Sequence, residues 1–164
     1  MKNDGLGSAN RIRGALEAVL ASATESLEMD AAFVARIDGD RLVFRAFRGR
    51  GESFGLAEGM SIDLDESYCK LLLDGRIEDV VRNTCESEVV ANLDATREAG
   101  INSYVGVPLE MSDGRTYGTL CCLSHSPSPW LAKKDLELMR KLASETIRLL
   151  EEEEAHREEP GRPL

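Results

Sequence analysis

The sequence predicts an α+β fold: one central antiparallel sheet, with N- and C-terminal helices on one face and crossover segments on the other. Three observations carry that reading. Two hairpin patterns, 31–47 around Asp38-Gly39-Asp40 and 101–124 around Asp113-Gly114, pair neighbouring strands through turns. Apolar residues recur at helical spacing near both ends of the chain. Between the hairpins lie only brief strand and helix patterns.

Residues 1–8 are polar and Gly-rich and read as a flexible N-terminus, with Ser8 or Asn10 as candidate helix caps. Ile12, Leu16, Val19, Leu20, Ala23 and Leu27 then form one apolar stripe. The strands 31–37 and 42–47 make the first hairpin. Residues 49–59 hold four glycines and no apolar period, which predicts a mobile loop. A short strand over 60–64 follows. Asp65 is a candidate N-cap for a helix over 68–73, which Asp74-Gly75 stops. Ile77, Val80 and Val81 suggest a brief strand, and 86–98 one or two short helices ended by Gly100.

In the second hairpin Ile101, Val105, Val107 and Leu109 alternate on one arm, and Tyr117, Cys121 and Leu123 on the other. Pro108 lacks a ladder donor, so its strand has an edge or a bulge there. After Pro127 and Pro129, a long helix is expected from Trp130. Leu136, Met139, Ala143, Thr146 and Leu150 form one face; Leu138, Leu142 and Leu149 form part of a second. A helix apolar on two sides packs on two partners, here the sheet and a second subunit. The folded domain spans 9–150. Residues 151–164, acidic and then Pro/Gly-rich, are expected to be disordered.

At 164 residues, 42% hydrophobic and 30% charged, the chain reads as one domain with a real core. The net charge of −10 argues against nucleic acid and against anionic membrane surfaces. No basic start leads into an apolar run, and no stretch nears the roughly 18 apolar residues of a span, so a cytoplasmic location is expected. Cys69, Cys85, Cys121 and Cys122 form no C-x-x-C pair and read as reduced core thiols. No His/Cys spacing matches a metal site, and neither a G-x-S-x-G elbow nor a phosphate loop occurs.

Ser67-Tyr68-Cys69, the strand 104–109 (YVGVPL) and the strand 117–121 (YGTLC), together with the element order, resemble a GAF domain. The kinship is with the GAF modules found with bacterial sensor kinases and cyclic-dinucleotide enzymes. The resemblance covers 9–150 and implies a GAF/PAS-like sheet with a small-molecule cavity under the crossover helices. It implies a sensory, regulatory and non-catalytic role in signal transduction, with the ligand and any cofactor unnamed. The signature of the cyclic-GMP-binding members cannot be laid on this chain. Neither His125 nor His156 directly follows a Cys, as a bilin site would favour.

The residues expected to contact a ligand are Tyr68, Cys69, Asp79, Asn83 and Tyr104. Each also has a plain structural role open to it. Tyr68 and Tyr104 could pack as core rings. Asp79 and Asn83 could cap turns. Cys69 could be a small core hydrophobe. Gly106 and Gly118, inside strands, are read first as bulges or tight packing. The expected output is a shift of a homodimer built on the terminal helices, with a signalling protein as a further partner left open. One alternative is a ligand-free dimerisation module. A second is a thiol-based reductase of free methionine sulfoxide that draws on Cys69 and Cys85. Cys121 and Cys122, adjacent on a strand, must point to opposite faces.

Overall fold

The computed structural model describes residues 4–157. Helix α1 (Asp4–Leu27) precedes the hairpin of β1 (Ala31–Asp38) and β2 (Arg41–Gly49). A single turn α2 (Gly51–Phe54), the short strand β3 (Ser61–Asp63) and helix α3 (Tyr68–Leu73) follow. Then come the two-residue strand β4 (Val80–Val81) and helix α4 (Asp94–Ala99). The hairpin of β5 (Ser103–Glu110) and β6 (Thr116–Ser124) leads to helix α5 (Lys133–Arg157).

The six strands form one sheet in the order β3-β2-β1-β6-β5-β4, antiparallel at every pairing. The α+β expectation is met. Alternation along β5 and β6 divides the core. Val105, Val107, Leu109, Leu120 and Cys122 face α1 and α5, where they meet Leu16, Leu20, Met139 and Leu149. Tyr104, Cys121 and Leu123 face the other side, with Phe33, Phe44 and the crossover segments. Each face is a contiguous apolar cluster, so burial on both sides holds the sheet between two layers.

Local chemistry sets the boundaries. Ser67, not Asp65, caps α3: its Oγ accepts the Lys70 N–H at 3.1 Å, while Asp65 sits in a 3-10 turn. Gly100 ends α4 at φ 67°, the left-handed conformation a glycine C-cap supplies. In β5 the Gly106 N–H donates to the Asp79 carbonyl beside β4 at 2.9 Å. Pro108, two residues on, points the same way past the end of β4, so its missing donor falls at an open edge.

Several expectations are corrected. Helix α1 begins at Asp4, so residues 4–8 are helical, and Ser8 and Asn10 lie inside the helix; residues 1–3 lie outside the described region. The 49–59 segment contains α2 and buries Phe54. Helix α5 starts at Lys133 rather than Trp130 and continues through 151–157; residues 158–164 lie outside the described region. The extension is stabilised by ion pairs. Glu152 meets Arg11, Glu153 meets Arg45 at 2.5 Å, and Glu154 meets Arg115 at 2.9 Å. Leu149 is buried in the chain's own core, which leaves Leu138 and Leu142 half-exposed. Tyr117 breaks the predicted alternation because Leu109 pairs with Gly118 while Glu110 pairs with Thr116, a bulge that turns its ring towards the helix-side core.

Candidate functional site

On the crossover side the sheet, α2, α3 and α4 enclose a cavity of about 320 Å³. Its floor is Phe33, Phe44, Tyr104 and Leu123 from β1, β2, β5 and β6. Tyr68 and Cys69 of α3 and Ala95 and Ala99 of α4 roof it, and Phe54, Leu56 and Met60 stand on the loop side. Phe33 and Phe44 meet edge to face with centroids 4.9 Å apart, which fixes the ring positions. Among the described residues, no Lys or Arg lines the cavity, and Glu98 is the one charged residue that does.

Tyr68 donates its hydroxyl hydrogen to Thr96 Oγ1, because Thr96 spends its own on the Val90 carbonyl at 2.7 Å. The bond ties α3 to α4 over the cavity. Burial, partly offset by the Thr96 hydrogen bond, pushes the Tyr68 phenol up to about 12.

Cys69 and Tyr104 converge on Cys121. The Cys69 and Cys121 sulfurs are 3.9 Å apart, and Tyr104 Oη is 3.2 Å from the Cys121 sulfur. Thr119 Oγ1 donates to Cys69 at 2.9 Å and accepts from Cys121 at 3.3 Å. Burial raises the Cys121 thiol, but its hydrogen bonds with Cys69, Thr119 and Tyr104 bring it below its ordinary value overall. The Cys69 thiol is pushed well up, first by its hydrogen bond to Cys121 and then by burial.

Of the five expected residues, the structure brings Tyr68, Cys69 and Tyr104 together around one cavity. Asp79 and Asn83 lie outside its lining. The Asp79 carboxylate turns to the helix side, 3.4 Å from Arg140 of α5. The Asn83 side chain accepts the Cys85 N–H at 3.0 Å and caps a 3-10 turn. Cys85 is exposed and lies outside the cavity lining, so the sulfur within reach of Cys69 is Cys121 rather than Cys85.

Sequence reasoning missed Thr96, Phe54 and His125. His125 stacks on Phe54 with ring centroids 3.8 Å apart and planes 10° from parallel. Its Nδ1–H donates to the Gly100 carbonyl at 2.8 Å, and Nε2 lies 2.7 Å from Ser53 Oγ. The imidazole thereby joins α2 to the end of α4 beside the cavity mouth. An aromatic residue in a Gly-rich loop was the one available signal for Phe54. Among the described residues, no group of three or more His, Cys, Asp or Glu could hold a metal ion. Among the same residues, no helix is long and apolar enough to cross a membrane.

The architecture defines a class: a small α+β module with a ligand-sized chamber between sheet and crossover, and its terminal helices on the far face. The GAF domain family model matches residues 11–147. The chain belongs to the GAF domain family, a family of signalling sensor domains. It is similar to diguanylate cyclase DgcP of Escherichia coli (strain K12), 27% identical over 143 residues, covering 80% of this chain and 40% of that protein. It is also similar to the cyclic di-GMP phosphodiesterase PA2567 of Pseudomonas aeruginosa, 28% identical over 128 residues, covering 77% of this chain and 21% of that protein. The chain thus spans well under half the length of these relatives. Among solved structures, the Thermosynechococcus elongatus PixJ GAF domain aligns with a TM-score of 0.68 at 17% identity, covering 97% of this chain and 98% of that one. Free methionine-R-sulfoxide reductase from Neisseria meningitidis aligns with a TM-score of 0.65 at 20% identity, covering 87% and 80%.

Proposed function

We propose that the chain is a non-catalytic, small-molecule-sensing regulatory domain that signals through a homodimer of its terminal helices. The carrying observation is the cavity of about 320 Å³ on one face of a sheet whose other face holds α1 and α5. That volume is at the lower end of ordinary ligand sites. The lining favours a compact, uncharged, largely apolar molecule: aromatic walls offer area, and no basic side chain among the described residues would neutralise a phosphate.

Adjacent residues of β6 supply a link to the helices. Cys121 faces the cavity side, and Cys122 lies with its sulfur 4.0 Å from that of Met139 in α5. A ligand that displaces β6 would bear on α5 directly, and any change in the population of helix arrangements would equal its differential affinity for them. Leu138 and Leu142 are among the half-buried apolar residues of α5 that a second copy would cover.

Thermal-shift measurements with indole, toluene and cyclic di-GMP test the ligand reading. Stabilisation by the neutral aromatic compounds, and not by the dinucleotide, is expected. No stabilisation by either neutral compound leaves the ligand-free dimerisation module. Sedimentation of the L138E/L142E variant tests the dimer: the parent should sediment as a dimer and the variant as a monomer.

A further inference from the structure

We propose that Cys69 and Cys121 form a reversible dithiol–disulfide site, oxidised by a small hydroperoxide that enters through the cavity. Four observations support the pairing. The two sulfurs already stand 3.9 Å apart, so a bond of about 2 Å needs side-chain motion of roughly the difference. Cys69 lines the cavity, which gives an oxidant a path to an otherwise buried thiol. Thr119 and Tyr104 place hydroxyls on these sulfurs at 2.9 and 3.2 Å, donors that stabilise a thiolate. The remaining cysteines are placed differently: Cys122 faces the opposite side of the sheet, and Cys85 is exposed and outside the cavity lining.

The chemistry balances. Both cysteines start as thiols, and Cys69 gives up its proton to solvent. The Cys69 sulfur then attacks the terminal oxygen of R–O–O–H; an S–O bond forms, the O–O bond breaks, and RO⁻ takes up the proton that Cys69 released to leave as an alcohol. The product is a sulfenic acid on Cys69. Cys121 attacks that sulfur; the S–S bond forms, the S–O bond breaks, and the hydroxyl leaves as water with the Cys121 proton. Two thiols and one hydroperoxide give one disulfide, one alcohol and one water, and a dithiol reductant reverses the oxidation.

The site joins α3 to β6, so oxidation would draw the roof of the cavity onto its floor. It requires no resident ligand, and it stands or falls separately from the sensing of neutral molecules.

The test treats the full folded chain with hydrogen peroxide at one equivalent, then measures intact mass and maps peptides without reduction. The expected result is a loss of about 2 Da, a Cys69–Cys121 linked peptide, and recovery of the starting mass with dithiothreitol. C85S, at an exposed position, should behave as the parent. C69S and C121S should not lose the 2 Da. A parent that gains oxygen without losing 2 Da, a linked peptide that includes Cys85 or Cys122, or pairing seen only in urea would each overturn the proposal. The parent experiment is decisive even where a serine variant fails to fold.

Discussion

Tyr104 lies across Gly106, two residues further along the same strand. A Cβ built on Gly106 would stand 2.2 Å from the Tyr104 hydroxyl oxygen and 2.6 Å from Cζ. The glycine therefore makes room for a ring that forms part of the cavity floor, and no approaching ligand is needed to explain it. Its backbone φ is not in the left-handed region, so the requirement is space rather than conformation. We expect G106A to cost about 1–3 kcal/mol in urea denaturation through forced displacement of the ring. The same substitution in a Y104L background should cost distinctly less. Equal costs in the two backgrounds would contradict this account of the contact.

Gly118 presents the harder case. Its Cβ would stand 1.8 Å from the carbonyl oxygen of Ala35 in the neighbouring strand. A side chain can turn aside, but a backbone oxygen in a central ladder cannot move without breaking register. Ala35 pairs with Thr119 at a point where β2 bulges against β1, Val34 pairing with Ala46 and Ala35 with Phe44. G118A is expected to be the more damaging glycine substitution, at about 3 kcal/mol or more, or to leave the protein insoluble. Parallel urea titrations of G106A and G118A check the ranking, and the reverse order would refute it.

These glycines show what the chain does and does not disclose. Gly106 and Gly118 stand out in sequence as glycines inside strands, but their neighbours come from Tyr104 and from Ala35 in another strand. The hairpins, the terminal helices and the two-faced alternation were legible because each rests on local periodicity. Leu149, by contrast, was assigned to a second face because sequence spacing cannot say how far α1 wraps around α5. Cys69 was visible as a cavity candidate. Its partner Cys121 was not, since α3 and β6 meet only through the crossover geometry. Asp79 and Asn83 were misplaced for the same reason: β4 is two residues long, and nothing local indicates which way its flanking side chains turn.

The burial of Tyr68 should show in the alkaline limb of stability. The folded-state pKa of Tyr68 is raised from 10.0 to about 12, so the fold favours the neutral phenol. Tyr117 is raised similarly, to about 12, chiefly by burial. A raised folded pKa gives a contribution that is intact below pH 10 and is lost as pH climbs from 10 through 12. Urea midpoints measured against pH should therefore fall over that window. Y68F removes one ionising group and one hydrogen bond. It should be less stable than the parent by about 1 kcal/mol at pH 7, and that gap should narrow above pH 10. A gap that stays constant from pH 7 to 11 would show that Tyr68 ionises as freely in the fold as in the unfolded chain.

Arg45 and Glu153 make the most sheltered of the ion pairs that hold the acidic end of α5. Their side chains are 22% and 18% exposed, and the pair spans from β2 to the far end of the helix at 2.5 Å. The pairs of Arg11 with Glu152 and Arg115 with Glu154 are more open on the arginine side and are screened by salt. R45A strands Glu153 in a partly buried position, which costs more than the pair itself contributes. The expected outcome is selective fraying of 151–157, seen as faster hydrogen exchange there and little change in the sheet, with a global loss of about 1–2 kcal/mol. R115A should loosen the same residues less, and high salt should abolish the difference between R115A and the parent but not that of R45A. If R45A and R115A exchange alike over 151–157, burial does not distinguish these pairs and the anchoring role of Arg45 is wrong.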